Sequence, residues 1–254
     1  MIYYIGLSIL SNNDNNHDNK GNACKKLLQE ESMRILSLLE GRPVKNDEIE
    51  RDRQGRPFFP GSNTNFNISH SGNLAAVSLV KPSQNRNNPG GLKPRTGCDV
   101  ELVRPRPRMK DMAEEFFTPA ERDYIFGSRF DEARFFHIWT LKESYLKLRG
   151  LTVFDIKNAP SFICCKERAE GQFAFNAPFS SALSFNLYEL SGSAGGRYIL
   201  AAALEADKDE SGGSLSLKER SPEILWFSQS LLDCKSIVKI KAAQSPEKTV
   251  MPKI

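Results

Sequence analysis

Hydrophobic positions along the chain recur with strand spacing in some stretches and with helical spacing in others, which predicts an α+β fold. The longest helical pattern covers residues 134–150 and ends at a glycine. Its apolar side chains recur at steps of three and four, at Ile138, Leu141, Tyr145 and Leu148. At 3.6 residues per turn they form one apolar stripe, so we predict a long helix packed on a core.

Shorter patterns of both kinds surround this helix. A helix is predicted over residues 23–39, and Gly41 and Pro43 end it. A second, short helix begins at the capping box Thr118–Glu121, with proline at the first helical position. Predicted strands cover residues 2–10, 96–103, 172–176, 182–188 and 197–204, and residues 151–155 are predicted to begin a sheet region.

Turn-forming and polar residues divide the chain. Residues 81–95 are almost all of this kind, so the predicted domains are an N-terminal half, 1–92, and a C-terminal half, 93–205. Residues 206–254 form a predicted linker and tail, and the tail is expected to dock back as a strand or a helix. The sequence shows no internal repeat that would support duplication independently.

Composition limits the function classes. The 254 residues are 39% hydrophobic, enough for one large or two small domains, and the net charge of +4 suits anionic ligands or acidic partners, although ordinary solubility explains it equally well. The basic run 104–108 is broken by proline and lacks aromatic residues, which favours a surface turn over nucleic-acid binding. Five cysteines without C-x-x-C spacing and no apolar run long enough to span a membrane predict a reduced, cytoplasmic protein.

The strand 96–103 carries the first candidate chemistry. Its alternation places Asp99 and Glu101 on one face, with Cys98, Val100 and Leu102 on the other. Two adjacent carboxylates repel each other unless a cation lies between them, and Mg²⁺ prefers such oxygen ligands. Glu143, on the long helix, is the candidate third ligand. The alternatives are an ordinary polar strand face and a solvated Glu143–Lys147 pair.

Two motifs together resemble a known family. Residues 97–101, Gly-Cys-Asp-Val-Glu, and residues 139–147, Trp-Thr-Leu-Lys-Glu-Ser-Tyr-Leu-Lys, resemble the paired signatures of 4′-phosphopantetheinyl transferases of the surfactin-synthetase-activating type. The resemblance runs from about residue 25 to residue 204. It implies two similar α+β halves, each with an antiparallel sheet and a packed helix, in a monomer that holds coenzyme A between the halves.

The resemblance also implies a reaction. Such enzymes move the 4′-phosphopantetheine arm of coenzyme A to a serine of an apo acyl or peptidyl carrier protein and release adenosine 3′,5′-bisphosphate. Asp99, Glu101 and Glu143 would bind Mg²⁺. Glu143 would also act as the base, and Lys147 would neutralise the leaving phosphate.

Further residues match family positions that contact coenzyme A. Residues 65–72 resemble an Asn-x-Ser-His-Ser motif, which assigns Ser69 and His70 to a phosphate, and residues 54–58 resemble a Gly-Lys-Pro turn with Arg56 in the lysine position. Lys142 is a second predicted phosphate contact. Lys25 or Lys26 is the candidate for the nucleotide end.

Two alternatives remain at this point: a non-catalytic module of the same fold that binds coenzyme A or a carrier protein, and a metal-dependent phosphohydrolase. The sequence does not distinguish carriers of fatty-acid, polyketide or nonribosomal peptide synthesis. It predicts no nucleic-acid or membrane partner.

Overall fold

The computed structural model describes residues 1–10, 20–82, 93–168, 172–176, 183–192, 196–206, 222–226 and 232–240. Most of the predicted boundary at 81–95 and of the linker at 206–222 lies outside the described residues. No described helix is both long and apolar enough to cross a membrane.

Twelve strands and four α-helices make up the described chain. The strands are β1 (Ile2–Ile9), β2 (Glu50–Arg51), β3 (Pro57–Phe58), β4 (Asn65–Ser71), β5 (Leu74–Lys81), β6 (Arg95–Leu102), β7 (Ile163–Arg168), β8 (Gln172–Asn176), β9 (Leu183–Gly192), β10 (Arg197–Glu205), β11 (Glu223–Trp226) and β12 (Leu232–Ile240). The helices are α1 (Lys20–Glu40), α2 (Met109–Phe116), α3 (Pro119–Phe126) and α4 (Glu132–Arg149), and two 3-10 turns cover Asn46–Glu48 and Val153–Asn158.

Two four-stranded sheets form the centre of the fold. Their strand orders are β11-β1-β5-β4 and β12-β9-β10-β6, and every pairing in them is antiparallel except that of β1 with β11. Apolar side chains of both sheets share one core, which includes Ile5 and Leu74 of the first sheet and Leu190 and Leu200 of the second. The predicted α+β class with antiparallel sheets is confirmed, whereas the similarity of two halves remains a prediction.

The helices cover the outer faces of these sheets. Leu28, Ile35 and Leu36 of α1 pack with β4 and β5, while α4 packs with β9 and β10 in a separate core. The predicted stripe of α4 is confirmed, since Ile138, Leu141 and Leu148 are fully buried and Tyr145 is partly buried against that core. Its end is also confirmed, because Gly150 adopts the left-handed conformation with φ of 70°.

Some elements differ from the sequence prediction. Residues 151–155, predicted to begin a sheet, instead lead into a 3-10 turn, in which the side chain of Asp155 accepts a hydrogen bond from the backbone N–H of Thr152. Helix α2 was not predicted. The tail docks back as strand β11, consistent with one of the two predicted forms, and strand β12 adds to the second sheet.

Strands β4 and β6 lie next to each other at the inner edges of the two sheets, where side chains take the place of a backbone ladder. Alternate β4 side chains accept hydrogen bonds from β6 backbone N–H groups. These pairs, which we call the side-chain ladder, are Asn65–Thr96 (2.9 Å), Asn67–Cys98 (3.1 Å), Ser69–Val100 (3.2 Å) and Ser71–Leu102 (3.1 Å). The ladder fixes the two sheets in register with each other.

Helix α4 lies directly on β6 because Gly97 has no side chain. A Cβ atom at Gly97 would lie 2.5 Å from the Leu148 backbone nitrogen and would also collide with the Ser144 carbonyl oxygen. We expect Gly97→Ala to lower the free energy of unfolding by about 3 kcal/mol, since backbone atoms cannot rotate away as a side chain can. Urea unfolding would measure this.

The control for that substitution is Gly55→Ala. Gly55 has a φ of +84°, and nothing lies within 4 Å of the added Cβ. This variant therefore reports only the cost of a left-handed alanine, about 1 kcal/mol. Equal destabilisation by the two substitutions would contradict the close helix–strand contact.

A buried histidine on α4 should make the fold sensitive to acid. His137 shares a 2.8 Å hydrogen bond with the Tyr124 hydroxyl, and burial lowers the pKa of His137 to about 4. The unfolded chain protonates this histidine below about pH 6.5, whereas the folded chain does so only below about pH 4. The free energy of unfolding therefore decreases as the pH falls from about 6.5 to about 4. Between pH 7.5 and 5 we expect this residue to contribute a loss of about 2 kcal/mol. Denaturant unfolding of the wild type and His137→Gln should show a smaller pH dependence in the variant, and identical pH profiles would exclude this role.

Candidate functional site

A cleft of about 730 Å³ lies between α1, β3 and β4 on one side and β6 and α4 on the other. Many of the side chains predicted from the sequence line it. They are Lys25, Ser69, His70, Asp99, Glu101 and Lys147. Of the two lysines proposed for the nucleotide end, Lys25 lines the cleft and Lys26 does not. Lys26 is exposed and pairs with Glu30 at 3.8 Å.

Asp99 is the most buried carboxylate of the cleft, with 5% of its surface exposed. Its Oδ1 atom accepts hydrogen bonds from Lys147 Nζ at 2.7 Å and from Ser69 Oγ at 2.9 Å. Its Oδ2 atom is buried and has no hydrogen-bond partner. Burial raises the pKa of Asp99, although the Lys147 ammonium opposes that change. One oxygen is thus held in place while the other can still accept a ligand.

Glu101 lies two residues further along β6 on the same face, as predicted. Its Oε2 atom accepts from Ser71 Oγ at 2.7 Å and from an Arg106 guanidinium nitrogen at 2.6 Å. The other guanidinium nitrogen of Arg106 lies 3.2 Å from Oε1. Neither Ser71 nor Arg106 was predicted from the sequence as a site residue.

Glu143 lies one helical turn before Lys147 on α4. Burial, with the negative charges of Asp99 and Glu101 nearby, raises its pKa to about 7, while Lys147 acts in the opposite direction. Burial disfavours the charge of Lys147 too, but the attraction to Asp99, the hydrogen bond to it and the nearby Cys98 and Glu143 together outweigh burial, so the pKa of Lys147 is raised. Near neutral pH, Glu143 can therefore either take up or release a proton, while Lys147 stays cationic.

The donor atoms suit a hard dication better than a soft metal. Asp99, Glu101 and Glu143 offer only oxygens, and Asp99 Oδ2 is buried without a partner. In the part of the chain that the structure describes, however, no three carboxylate, imidazole or thiol groups are grouped closely enough to hold an ion. The ligand chemistry fits Mg²⁺, and the three-carboxylate site remains a prediction.

Arg56 was predicted to contact a phosphate, but its guanidinium is engaged elsewhere. It donates to the Lys147 and Leu148 carbonyl oxygens at 2.6 Å each, to the Thr96 carbonyl oxygen at 2.8 Å, and to Asn65 Oδ1 at 2.6 Å. Only 8% of its surface is exposed. In this structure Arg56 binds the end of α4 to β6, which corrects the phosphate assignment.

Lys142 was also predicted to contact a phosphate, and the structure places it elsewhere. Its ammonium lies 3.1 Å from Glu121 Oε1 and 3.3 Å from the Pro160 carbonyl oxygen, and the Lys142 and Glu121 side chains are 1% and 0% exposed. Glu121 also accepts from the backbone N–H groups of Thr118 and Phe162, at 2.8 Å each. The pair lies in the interior and ties α3 to α4, so Lys142 does not reach the cleft.

Comparisons with known proteins agree with the resemblance drawn from the two motifs. Residues 95–203 match the model of the 4′-phosphopantetheinyl transferase superfamily. The chain is 32% identical over 117 residues to the 4′-phosphopantetheinyl transferase AcpT of Salmonella typhimurium, which covers 45% of this chain and 55% of that protein. It is 33% identical over 110 residues to the 4′-phosphopantetheinyl transferase HetI of Nostoc sp., 41% of each chain.

The similarity is confined to part of each protein. A putative 4′-phosphopantetheinyl transferase of Haemophilus influenzae is 28% identical over 140 residues, 55% of this chain and 56% of that protein. The chain thus matches about half the length of these curated relatives. The superfamily resemblance is confirmed for the segment that carries Asp99, Glu101, Glu143 and Lys147.

Proposed function

We propose that this chain, whose residues 95–203 match the 4′-phosphopantetheinyl transferase superfamily, transfers the 4′-phosphopantetheine arm of coenzyme A to a serine of an apo acyl or peptidyl carrier protein. The observation that carries the proposal is the convergence of Asp99, Glu101 and Lys147 with Ser69 and His70 in one cleft. Its volume of about 730 Å³ is within the range of small-molecule and cofactor sites.

In the proposed reaction the carrier serine oxygen forms a bond to the pantetheine phosphorus, while the bond from that phosphorus to the leaving phosphate breaks. Glu143 takes the serine proton as the general base. Lys147 neutralises the charge that develops on adenosine 3′,5′-bisphosphate as it leaves.

In this proposal, side chains that line the cleft bind coenzyme A. His70 donates to its phosphates and Lys25 meets the nucleotide end, whereas Ser69 contacts a phosphate only when its hydroxyl turns away from Asp99. Asp99, Glu101 and Glu143 would hold Mg²⁺, which would neutralise the diphosphate when bound. Arg56 and Lys142 have no part in this scheme, because their charged groups are engaged in the interior.

The decisive experiment incubates the purified protein with Mg²⁺, coenzyme A and apo carrier proteins of fatty-acid, polyketide and nonribosomal peptide synthesis. Intact mass spectrometry should show a carrier that gains one phosphopantetheine group, with equimolar bisphosphate released. Binding of coenzyme A without a mass gain on any carrier would favour the non-catalytic module. Release of phosphopantetheine into solution would favour the phosphohydrolase.

Two further parts of the proposal concern the molecule as a whole. We propose a cytoplasmic monomer with residues 1–92 and 93–205 as its two halves and residues 206–254 as linker and tail. Size-exclusion chromatography with light scattering tests the monomer, and a stable dimer at micromolar concentration would reject it.

A further inference from the structure

The two carboxylates of β6 are held by the same kind of arrangement. Each accepts a short hydrogen bond on one oxygen from a β4 serine, Ser69 to Asp99 at 2.9 Å and Ser71 to Glu101 at 2.7 Å. The same oxygen also accepts from a cationic side chain. The cation is Lys147 at Asp99, 2.7 Å away, and Arg106 at Glu101, 2.6 Å away.

The two carboxylates differ in how their second oxygen is engaged. Asp99 Oδ2 is buried without a hydrogen-bond partner, whereas Glu101 Oε1 accepts a hydrogen bond of 3.2 Å from the other guanidinium nitrogen of Arg106. Asp99 is fixed through one oxygen and can offer the other as a ligand, while Glu101 is oriented through both oxygens and keeps a further lone pair on Oε1. The side-chain ladder fixes the two serines in turn, because each also accepts a β6 backbone N–H.

Arg106 differs from the other arginines of the run 104–108. Its guanidinium lies over the ring of Phe136, 5.0 Å from the centroid, and Phe136 is fully buried. Arg104 and Arg108 are exposed, and Arg108 pairs with Asp111 instead. The fold thus turns one arginine of a surface segment back towards the cleft and restrains it there.

We propose, on the basis of the function proposed above, that Ser71 and Arg106 are positioning residues that orient Glu101 as a ligand for the divalent cation. Arg106 has the same relation to Glu101 that Lys147 has to Asp99. Unlike Lys147, it belongs to the segment that follows β6. The position of that segment therefore affects the cation site through Glu101.

Divalent-cation binding without turnover tests this proposal. Free Mn²⁺ is measured by electron paramagnetic resonance in the absence of coenzyme A and carrier, with the wild type, Arg106→Gln, Arg106→Lys and Ser71→Ala. We expect Arg106→Gln and Ser71→Ala to weaken Mn²⁺ binding about tenfold or more, the usual effect of losing a partner of a metal-ligating carboxylate. Arg106→Lys should recover part of the affinity, because it keeps the charge and one hydrogen bond.

Arg104→Gln is the matched control, since it removes the same charge from the same exposed segment. It should change Mn²⁺ affinity by no more than about twofold, because solvent and salt screen an exposed charge. Circular dichroism checks the folding of every variant, and Ser71→Ala keeps the test valid if Arg106→Gln does not fold.

Unchanged or tighter Mn²⁺ binding by Arg106→Gln and Ser71→Ala would overturn the positioning role, as would a wild type that binds no Mn²⁺. The function is judged separately by carrier modification in the wild type. If the wild type modifies the carrier protein and the variants bind Mn²⁺ normally, the proposed function is retained and the positioning role is rejected. If the variants bind Mn²⁺ more weakly but the wild type modifies no carrier protein, the positioning role is retained and the proposed function is rejected.

Discussion

Glu143→Gln is expected to lower the rate of carrier modification by two to four orders of magnitude, roughly the contribution of a general base. The amide keeps the shape of the side chain but cannot accept the serine proton, and it is a poorer ligand for Mg²⁺. The measurement is the rate at which an apo carrier gains mass at saturating coenzyme A. Turnover at the wild-type rate would exclude Glu143 as the base.

The same substitution should stabilise the metal-free protein at alkaline pH. The pKa of Glu143 is about 7 in the folded protein and near 4.5 in an ordinary environment. Ionising it therefore opposes folding, by an amount that grows as pH rises from 4.5 to 7 and is complete above 7. In a chelating buffer, Glu143→Gln should gain about 3 kcal/mol at pH 8 and almost nothing at pH 4.5.

Glu132→Gln provides the control on the same helix. Glu132 is in the first turn of α4, about 16 Å along the axis from Glu143. Removing the negative charge of Glu132 should change the free energy of unfolding by less than about 1 kcal/mol at either pH, because that charge interacts only with the helix dipole. The rate of carrier modification should not change. An equal stabilisation of both variants at pH 8 would show that net charge, and not the environment of Glu143, is responsible.

Lys142→Met is expected to destabilise the fold by about 3 to 5 kcal/mol, the cost of leaving a buried charge without its partner. Glu121 is fully buried, and Lys142 is the cation placed beside it. Urea unfolding measures the loss. Variant protein that remains folded at low temperature should keep its KM for coenzyme A, because the ammonium does not line the cleft.

Lys157→Met separates this effect from the general consequence of replacing lysine by methionine. Lys157 pairs with Glu115 at 3.8 Å, and both side chains are more than half exposed. Its replacement should cost less than about 1 kcal/mol. A large rise in KM for Lys142→Met with unchanged stability would restore the phosphate contact predicted from the sequence.

The features that the sequence predicted are those set by local geometry. Alternation along a strand places Asp99 and Glu101 together, and a spacing of four residues places Glu143 and Lys147 on one side of α4. The capping box at Thr118 was predicted for the same reason, and both of its hydrogen bonds form. Each prediction needs only the conformation of a few consecutive residues.

The features that were missed depend on partners distant in the sequence. Arg56 was assigned to a phosphate because its charge was evident, whereas its carbonyl partners at Thr96, Lys147 and Leu148 belong to elements 40 to 92 positions away. Glu121 likewise lies on α3, 21 positions before Lys142 on α4. A charged residue in a motif therefore indicates its chemistry, but only the packing determines which group it meets.

Helix α2 could have been found from the sequence. Met109, Met112, Ala113 and Phe116 are spaced at i, i+3, i+4 and i+7, and all four pack towards one core. The arginines and prolines that precede this helix are typical of a surface turn, and a surface turn was predicted there. The docking of Glu223–Trp226 beside β1 offers no comparable local signal, because its register is fixed by a strand more than two hundred residues earlier.

The two strands of the tail have a consequence for aggregation. Strand β11 pairs with β1 and β12 pairs with β9, while β4 and β6 are engaged by the side-chain ladder at the opposite edges. A protein shortened to residue 206 would expose the backbone amides and carbonyls of β1 and β9. Unpaired edge strands of this kind can pair with strands of further copies of the chain. By covering β1 and β9, the tail would therefore prevent self-association through these edges.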